Sequence, residues 1–142
     1  MTHSVIVSAV RTPVGKFGSA LRGCSAVDLG AVAIREAVAR AAIPPTEVDH
    51  VVMGHVVQAG AGQISSRQAS IAAGIPKEVP AITLNNVCLS SLTSIAYADQ
   101  LIRLGELETA VAGGMESMTN APYLLPGRGG AAALAMRTSS TR

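Results

Sequence analysis

Four short β-rich runs alternate with helix-like segments along this chain, and that order leaves few architectures open. The runs are Val5-Ile6-Val7, a second near Val51-Val52-Met53, Ala81-Ile82-Thr83-Leu84, and Thr109 to Ala112. Strands separated by helices pair in parallel, because each return to the same end of a sheet needs a crossover. The β-α-β-α-β-α-β order therefore predicts a largely parallel, layered α/β fold with right-handed crossovers.

Local signals place the helices and breaks. Arg11 to Gly23 holds Pro13, Gly15, Gly18 and Gly23 and reads as a loop. Ser25-Ala26-Val27-Asp28 reads as a capping box, and Val27, Ala31, Ile34, Val38 and Ala41 fall on one face of the helix it opens. Pro44-Pro45 is expected to end that helix. Gly60-Ala61-Gly62 breaks the chain again, and a helix over Ser65 to Ala73 is closed by Gly74 and Pro76. The next helix is expected from about Cys88 to Leu104, ended by Gly105. Its apolar residues Leu89, Leu92, Ile95, Ala96, Ala98, Leu101 and Ile102 point several ways, which predicts a helix sandwiched inside the protein.

Composition excludes several classes. Of 142 residues 49% are hydrophobic and 14% charged, so a packed core is feasible and disorder is not the default. Aromatics supply only 2%, so the core must come from Val, Ile, Leu, Ala and Met. A net charge of +2 with no basic run gives no footprint for nucleic acid. Cys24 and Cys88 make no disulfide framework, and no CxxC or His/Cys cluster suggests a metal. The start MTHSVIVSAV lacks the pattern of a signal peptide, and no apolar run approaches the roughly 20 residues of a membrane span. The expectation is a cytoplasmic protein with reduced thiols and no membrane partner.

In open parallel sheets, ligands bind at the carboxyl ends of the strands. Three such exits carry informative residues: His55 to Gln63, Asn85 to Ser91, and Gly113 to Asn120. In LNNVCLSS, Cys88 falls where a strand turns into a helix. A thiol at a helix N-terminus is favoured as thiolate, and first-turn N–H groups can stabilise an oxyanion, so the position suits a nucleophile that takes an acyl group. The competing reading is a cysteine that merely packs. His55 is expected to be a satisfied polar contact or exposed, and His3 and His50 have no partner pattern. Cys24 reads as an ordinary residue at a helix start. Arg67 could grip phosphate, but a surface ion pair or subunit contact is favoured. Gly60-Ala61-Gly62 lacks the GxxxxGK[ST] pattern of a phosphate loop.

Four segments narrow the choice: RTPVGKFGSALRG (11–23), QAGAGQISSRQASIAAGIP (58–76), LNNVCLSSL (84–92) and AGGMESMTNAPY (112–123). Their order and spacing resemble the thiolase family over roughly residues 4–126. The resemblance implies a thiolase-type layered α/β fold, with residues 1–126 an incomplete N-terminal domain around a mainly parallel sheet. It implies an acyltransferase (acetyl-CoA C-acetyltransferase) of fatty acid metabolism that cleaves 3-oxoacyl-CoA with coenzyme A, or condenses two acyl-CoA molecules. Cys88 matches the family's acyl-accepting cysteine and Asn85 the Asn of its Asn-x-x-Cys pattern. Ser90, Gly113, Gly114 and Met115 are expected to support the site, with Met115, Glu116 and Met118 packing around the cysteine helix. Gly113-Gly114 is expected to let another backbone approach closely. Coenzyme A thioesters enter as substrates, so the resemblance implies neither a resident cofactor nor a metal. It also implies a homodimer or homotetramer, with the strand near Leu84 and the Gly113 region at the interface.

The chain departs from the family in two ways. Leu89, Ser90 and Ser91 follow the cysteine where the family usually has a small residue and then Ser-Gly. The family's Gly-His-Pro, Cys-x-Gly-Gly and Asn-Glu-x-Phe contexts, which supply its base, its α-proton shuttle and an oxyanion contact, do not occur here. After Pro126 the chain reads GRGGAAALAMRTSSTR, and 127–142 is expected to be a poorly ordered, non-family tail resembling translation in a shifted frame. Two alternatives therefore stand beside the active acyltransferase: a truncated, inactive thiolase fragment, and a ketoacyl-synthase-like condensing enzyme. AGGMESM and GQISSRQA favour thiolase over the latter.

Overall fold

The computed structural model describes residues 3–124. The expected tail over 127–142 lies outside the described residues.

A three-stranded parallel sheet carries the fold. Its strands are β1 (His50–Gly54), β2 (Ala81–Leu84) and β3 (Ala110–Gly114), in the order β2-β1-β3. Val51 pairs with Ala81 on one side and Val111 on the other, and Gly54 with Leu84 and Gly114, so all three strands end level. Side chains alternate across the pleat. Val51 and Met53 enter a core with Ala31, Ile34 and Val38 of α1 (Ala26–Ala41) and Ala69 and Ala73 of α2 (Ser65–Ala73). Gly54 faces the first turn of α3 (Ser90–Leu104) on the opposite side. The result is three layers, α/β/α. Among the described residues no helix is long and apolar enough to cross a membrane.

The capping box at α1 is present. The Ser25 hydroxyl accepts the Asp28 N–H at 3.1 Å, and Asp28 Oδ2 accepts the Ser25 N–H at 2.9 Å. Together these satisfy two of the donors a helix start leaves open. The helix stops before Pro44 is reached, through a left-handed Ala42 with φ 54°. Proline disfavours helical backbone at the residue before it, so the turn falls earlier. Gly74 and Gly105 close α2 and α3 in left-handed conformations, as the sequence predicts.

Three expectations need correction. Val5-Ile6-Val7 forms no strand; residues 4–10 make no backbone hydrogen bond to any described residue, and all three side chains are largely exposed. The segment runs beside an apolar groove of about 730 Å³ at the open edge of β3, floored by Ile34 and Val38 on one side and Leu92 and Ile95 on the other. The strand signal is real, but a strand needs a ladder, and the groove separates it from β3. Second, α3 begins at Ser90, so Cys88 sits in the turn before the helix rather than in its first turn. Third, α3 is not sandwiched. Its buried residues are the small Ser90, Ser94 and Ala98, four apart, which let it lie close on the glycine ends of β1 and β3. Leu92 and Ile95 stay exposed, because no described element covers that side.

Candidate active site

All three predicted strand exits meet at one end of the sheet, since the strands are parallel and end level. The turn Asn85–Leu89 leaves β2 there and carries Cys88, whose thiol is exposed. Val87, just before it, has φ 51°, which is unusual for a β-branched residue.

Two side chains hold this turn. Ser90 is buried; its hydroxyl donates to the Val87 carbonyl at 2.6 Å and accepts the Asn86 N–H at 2.8 Å. Asn85 works from the other side: Oδ1 accepts the Val87 N–H at 3.1 Å, and Nδ2 donates to the Val56 carbonyl at 3.0 Å. Asn86 Nδ2 adds a contact to Thr93 Oγ1 at 3.0 Å. A strained backbone persists where its surroundings over-determine it. Here five side-chain hydrogen bonds hold Val87 and its neighbours, and the exposed Cys88 follows directly on that held backbone.

Glycines allow α3 to start this close to the sheet. A Cβ on Gly54 would come within 2.7 Å of the Ser90–Ser91 backbone, and one on Gly114 would overlap the Ser91 hydroxyl. Gly113 has no such neighbour; its carbonyl instead accepts the Ser94 hydroxyl at 2.7 Å. The sequence points to Gly113 and Gly114 together and gives no sign of Gly54. A lone glycine at a strand end carries no pattern that reveals which helix will press on it.

The family model described as "Thiolase, N-terminal domain" matches residues 4–139. The chain belongs to the thiolase family. A probable acetyl-CoA acetyltransferase of Mycobacterium leprae is 55% identical over 125 residues, which is 88% of this chain and 32% of that protein. The mitochondrial acetyl-CoA acetyltransferase of Danio rerio is 50% identical, over 88% of this chain and 30% of its own length. Among solved structures, Acat5 thiolase from Ascaris suum in complex with coenzyme A superposes with a TM-score of 0.84 at 45% identity, covering 85% of this chain and 32% of that one. The chain thus spans about a third of the length of the curated relatives it matches.

Within this thiolase chain the other predicted residues fall as follows. Met115 is buried against Gly30 of α1 and Ala69 of α2, on the far side of the sheet from the cysteine helix. Its neighbour Glu116 lies under the turn after β1, where Oε2 accepts the Val56 N–H at 2.9 Å. Met118 is exposed. The expected packing of these three around α3 is therefore corrected: side chains following β3 alternate faces, and Met115 falls on the α1 side. His55 is buried and hydrogen-bonded, a satisfied polar contact rather than an exposed side chain. Among the described residues Arg67 makes no ion pair; it donates to the Val79 carbonyl at 2.6 Å and to the Lys77 carbonyl, holding the loop that leads into β2. Cys24 is half-buried, and its carbonyl accepts from Asn120 Nδ2 at 2.8 Å. His3 is exposed, and His50, at the start of β1, has a buried Nε2 with no partner among the described residues.

Proposed function

We propose that Cys88 is the acyl-accepting thiol of an acetyl-CoA C-acetyltransferase. The observation that carries the reading is its position: an exposed thiol on a strained turn held by side-chain hydrogen bonds between β2 and α3, in the Asn85-x-x-Cys88 pattern. In the cleavage direction the thiolate attacks the 3-oxo carbon of a 3-oxoacyl-CoA. The C2–C3 bond breaks, its electron pair leaves with acetyl-CoA and takes up a proton, and the acyl group stays on sulfur as a thioester. The thiol of free coenzyme A then attacks that thioester and releases Cys88. Condensation is the same sequence reversed. Coenzyme A and its thioesters are substrates, and the coenzyme A bound to the Ascaris suum neighbour supports that substrate class.

This chain supplies one part of such a site. The nucleophile and its scaffold are here. The contexts that the family resemblance implies for base, α-proton transfer and oxyanion contact do not occur in this sequence, which spans about a third of the relatives' length. That supports the second reading, a thiolase fragment without turnover of its own. The open edge of β2, where the strand near Leu84 lies, supports a homodimer or homotetramer built across it. The family match favours thiolase over a ketoacyl-synthase-like enzyme.

The test is acyl transfer from acetyl-CoA to the chain, mapped by peptide mass. The expected result is a label on Cys88 and not on Cys24, absent from Cys88→Ala, with no steady release of coenzyme A. A label spread equally over both cysteines, or found on neither, overturns the reading.

A further inference from the structure

The peptide between Val56 and Val57 is gripped at both ends, and the grip leads to the nucleophile. Its N–H, on Val57, donates to Glu116 Oε1 at 3.3 Å, while Glu116 Oε2 accepts the Val56 N–H at 2.9 Å. Its carbonyl, on Val56, accepts Asn85 Nδ2 at 3.0 Å. Asn85 Oδ1 in turn accepts the Val87 N–H at 3.1 Å, one residue before Cys88. Such a line is cooperative: a carboxylate on the N–H polarises the peptide and strengthens the bond its carbonyl accepts.

Behind Glu116 stands His55, only 2% exposed. Its Nε2 lies 3.4 Å from Glu116 Oε1, and its Nδ1 lies 2.8 Å from Ser65 Oγ. With the hydrogen on Nε2, the ring points to the carboxylate and accepts from the serine, which satisfies both nitrogens. A Ser-His-Glu row can suggest a hydrolase triad. Burial excludes that here, because Ser65 is 3% exposed and its hydroxyl lies among His55 and Thr83.

We propose that Glu116, braced by His55, is a positioning residue for the Cys88 thiol. It acts through the Val56–Val57 peptide and Asn85 to fix the Val87 turn. The proposal rests on the reading of Cys88 as the acyl acceptor, but its test does not use acyl transfer. A purely local role would be to cap the turn after β1, with no consequence for residues 85–88.

The experiment measures alkylation of Cys88 and Cys24 by iodoacetamide at one pH, resolved by peptide mass, in the 142-residue chain. Glu116→Gln, Asn85→Ala and the double variant are compared, with the Val87 amide resonance followed in labelled protein. By charge alone, losing a carboxylate favours thiolate and speeds alkylation. Positioning predicts the opposite: Glu116→Gln slows Cys88 by about threefold to tenfold, the range one net hydrogen bond supplies. It also shifts the Val87 amide, and the double variant is no slower than Asn85→Ala. A Cys88 rate unchanged or raised by Glu116→Gln, or additive effects in the double variant, overturns the proposal. Should Glu116→Gln unfold the chain, Cys24 also reacts faster. Glu116→Asp, with the charge kept and the reach shortened, is then judged by the same signs. Absence of acyl label on wild-type Cys88 sinks the acceptor reading alone.

Discussion

Ser91 rests on Gly114 so closely that a Cβ on the glycine would overlap the serine hydroxyl and come within 3.0 Å of its Cβ. The family's usual residue at position 91 is glycine, so this chain carries a side chain at a helix start where others carry none. The absent Cβ on the strand makes room for it. Gly114→Ala is expected to destabilise the chain by about 1–3 kcal/mol, the usual penalty for overpacking. Ser91→Gly should relieve most of that loss in the double variant. Some loss remains, because the Gly54 carbonyl lies 3.3 Å from the same point. Urea unfolding of the four proteins checks the coupling, and simple additivity would show that the contact is not the cause.

Gly54 of β1 and Gly113 of β3 lie one register step apart at the end of the β1–β3 pair, yet they should respond differently to the same substitution. A Cβ on Gly54 meets the Ser90–Ser91 backbone at 2.6 to 2.7 Å, and backbone cannot step aside. One on Gly113 meets only the sulfur end of Met53, at 3.6 Å, an ordinary contact. Gly54→Ala is expected to cost about 2 kcal/mol or more, and to push the start of α3 off the sheet. Gly113→Ala should stay within about 0.5 kcal/mol of wild type, as unstrained substitutions do. Equal losses from the two would contradict the close approach of α3.

What the sequence reveals, and what it hides, follows from range. The Ser25–Asp28 capping box spans four residues and is written in their identities, as are the glycine closures of α2 and α3. The parallel sheet is legible because the alternation of strand and helix forces it. Val5-Ile6-Val7 has the composition of a strand, but pairing depends on a neighbour that composition does not name. The strand-to-helix corner that carries Cys88 is legible, but α3 starts two residues after the cysteine, since the left-handed Val87 that delays the helix is a β-branched residue no rule would put there. The contact of Glu116 with the Val56–Val57 turn joins residues some 60 apart in the chain, beyond any local pattern. Met115 lies on the α1 face because the pleat, not proximity in sequence, decides where it points.

Acid should weaken the fold in two steps. His50 is held below its ordinary value by burial. The unfolded chain therefore binds the extra proton first, and stability falls as pH drops through about 6.5. His50→Gln should flatten that step. Asp49 is held below the usual carboxylate range by the N–H groups of Thr109 and then Glu108, which tie the starts of β1 and β3 together. Its contribution is complete above about pH 3.9 and is lost as pH falls through the lower folded value. Asp28 behaves likewise through the Ser25 hydroxyl and N–H. Midpoints of thermal unfolding between pH 3 and 8 separate the two steps, and a His50→Gln curve parallel to wild type around pH 6 would remove His50 as the cause.

Val87 tests whether the corner under Cys88 is held by its surroundings or by its own preference. Its φ of 51° costs a β-branched residue about 1–2 kcal/mol. Glycine removes that strain and adds roughly 0.5–1 kcal/mol of lost backbone freedom. The side chain is exposed, so little burial is lost. Val87→Gly should therefore leave stability unchanged or raise it by up to about 1 kcal/mol, where the same change at an ordinary extended position lowers it. The corner should meanwhile loosen, because the left-handed state no longer depends on the bonds from Asn85 and Ser90 alone, and other conformations become cheap. Cys88 should then lose its preference over Cys24 in alkylation while the melting temperature holds. A variant that lost stability by 1 kcal/mol or more would mean that the valine's own contacts shape the turn, and that the strain at this position is not what sets the thiol's aim.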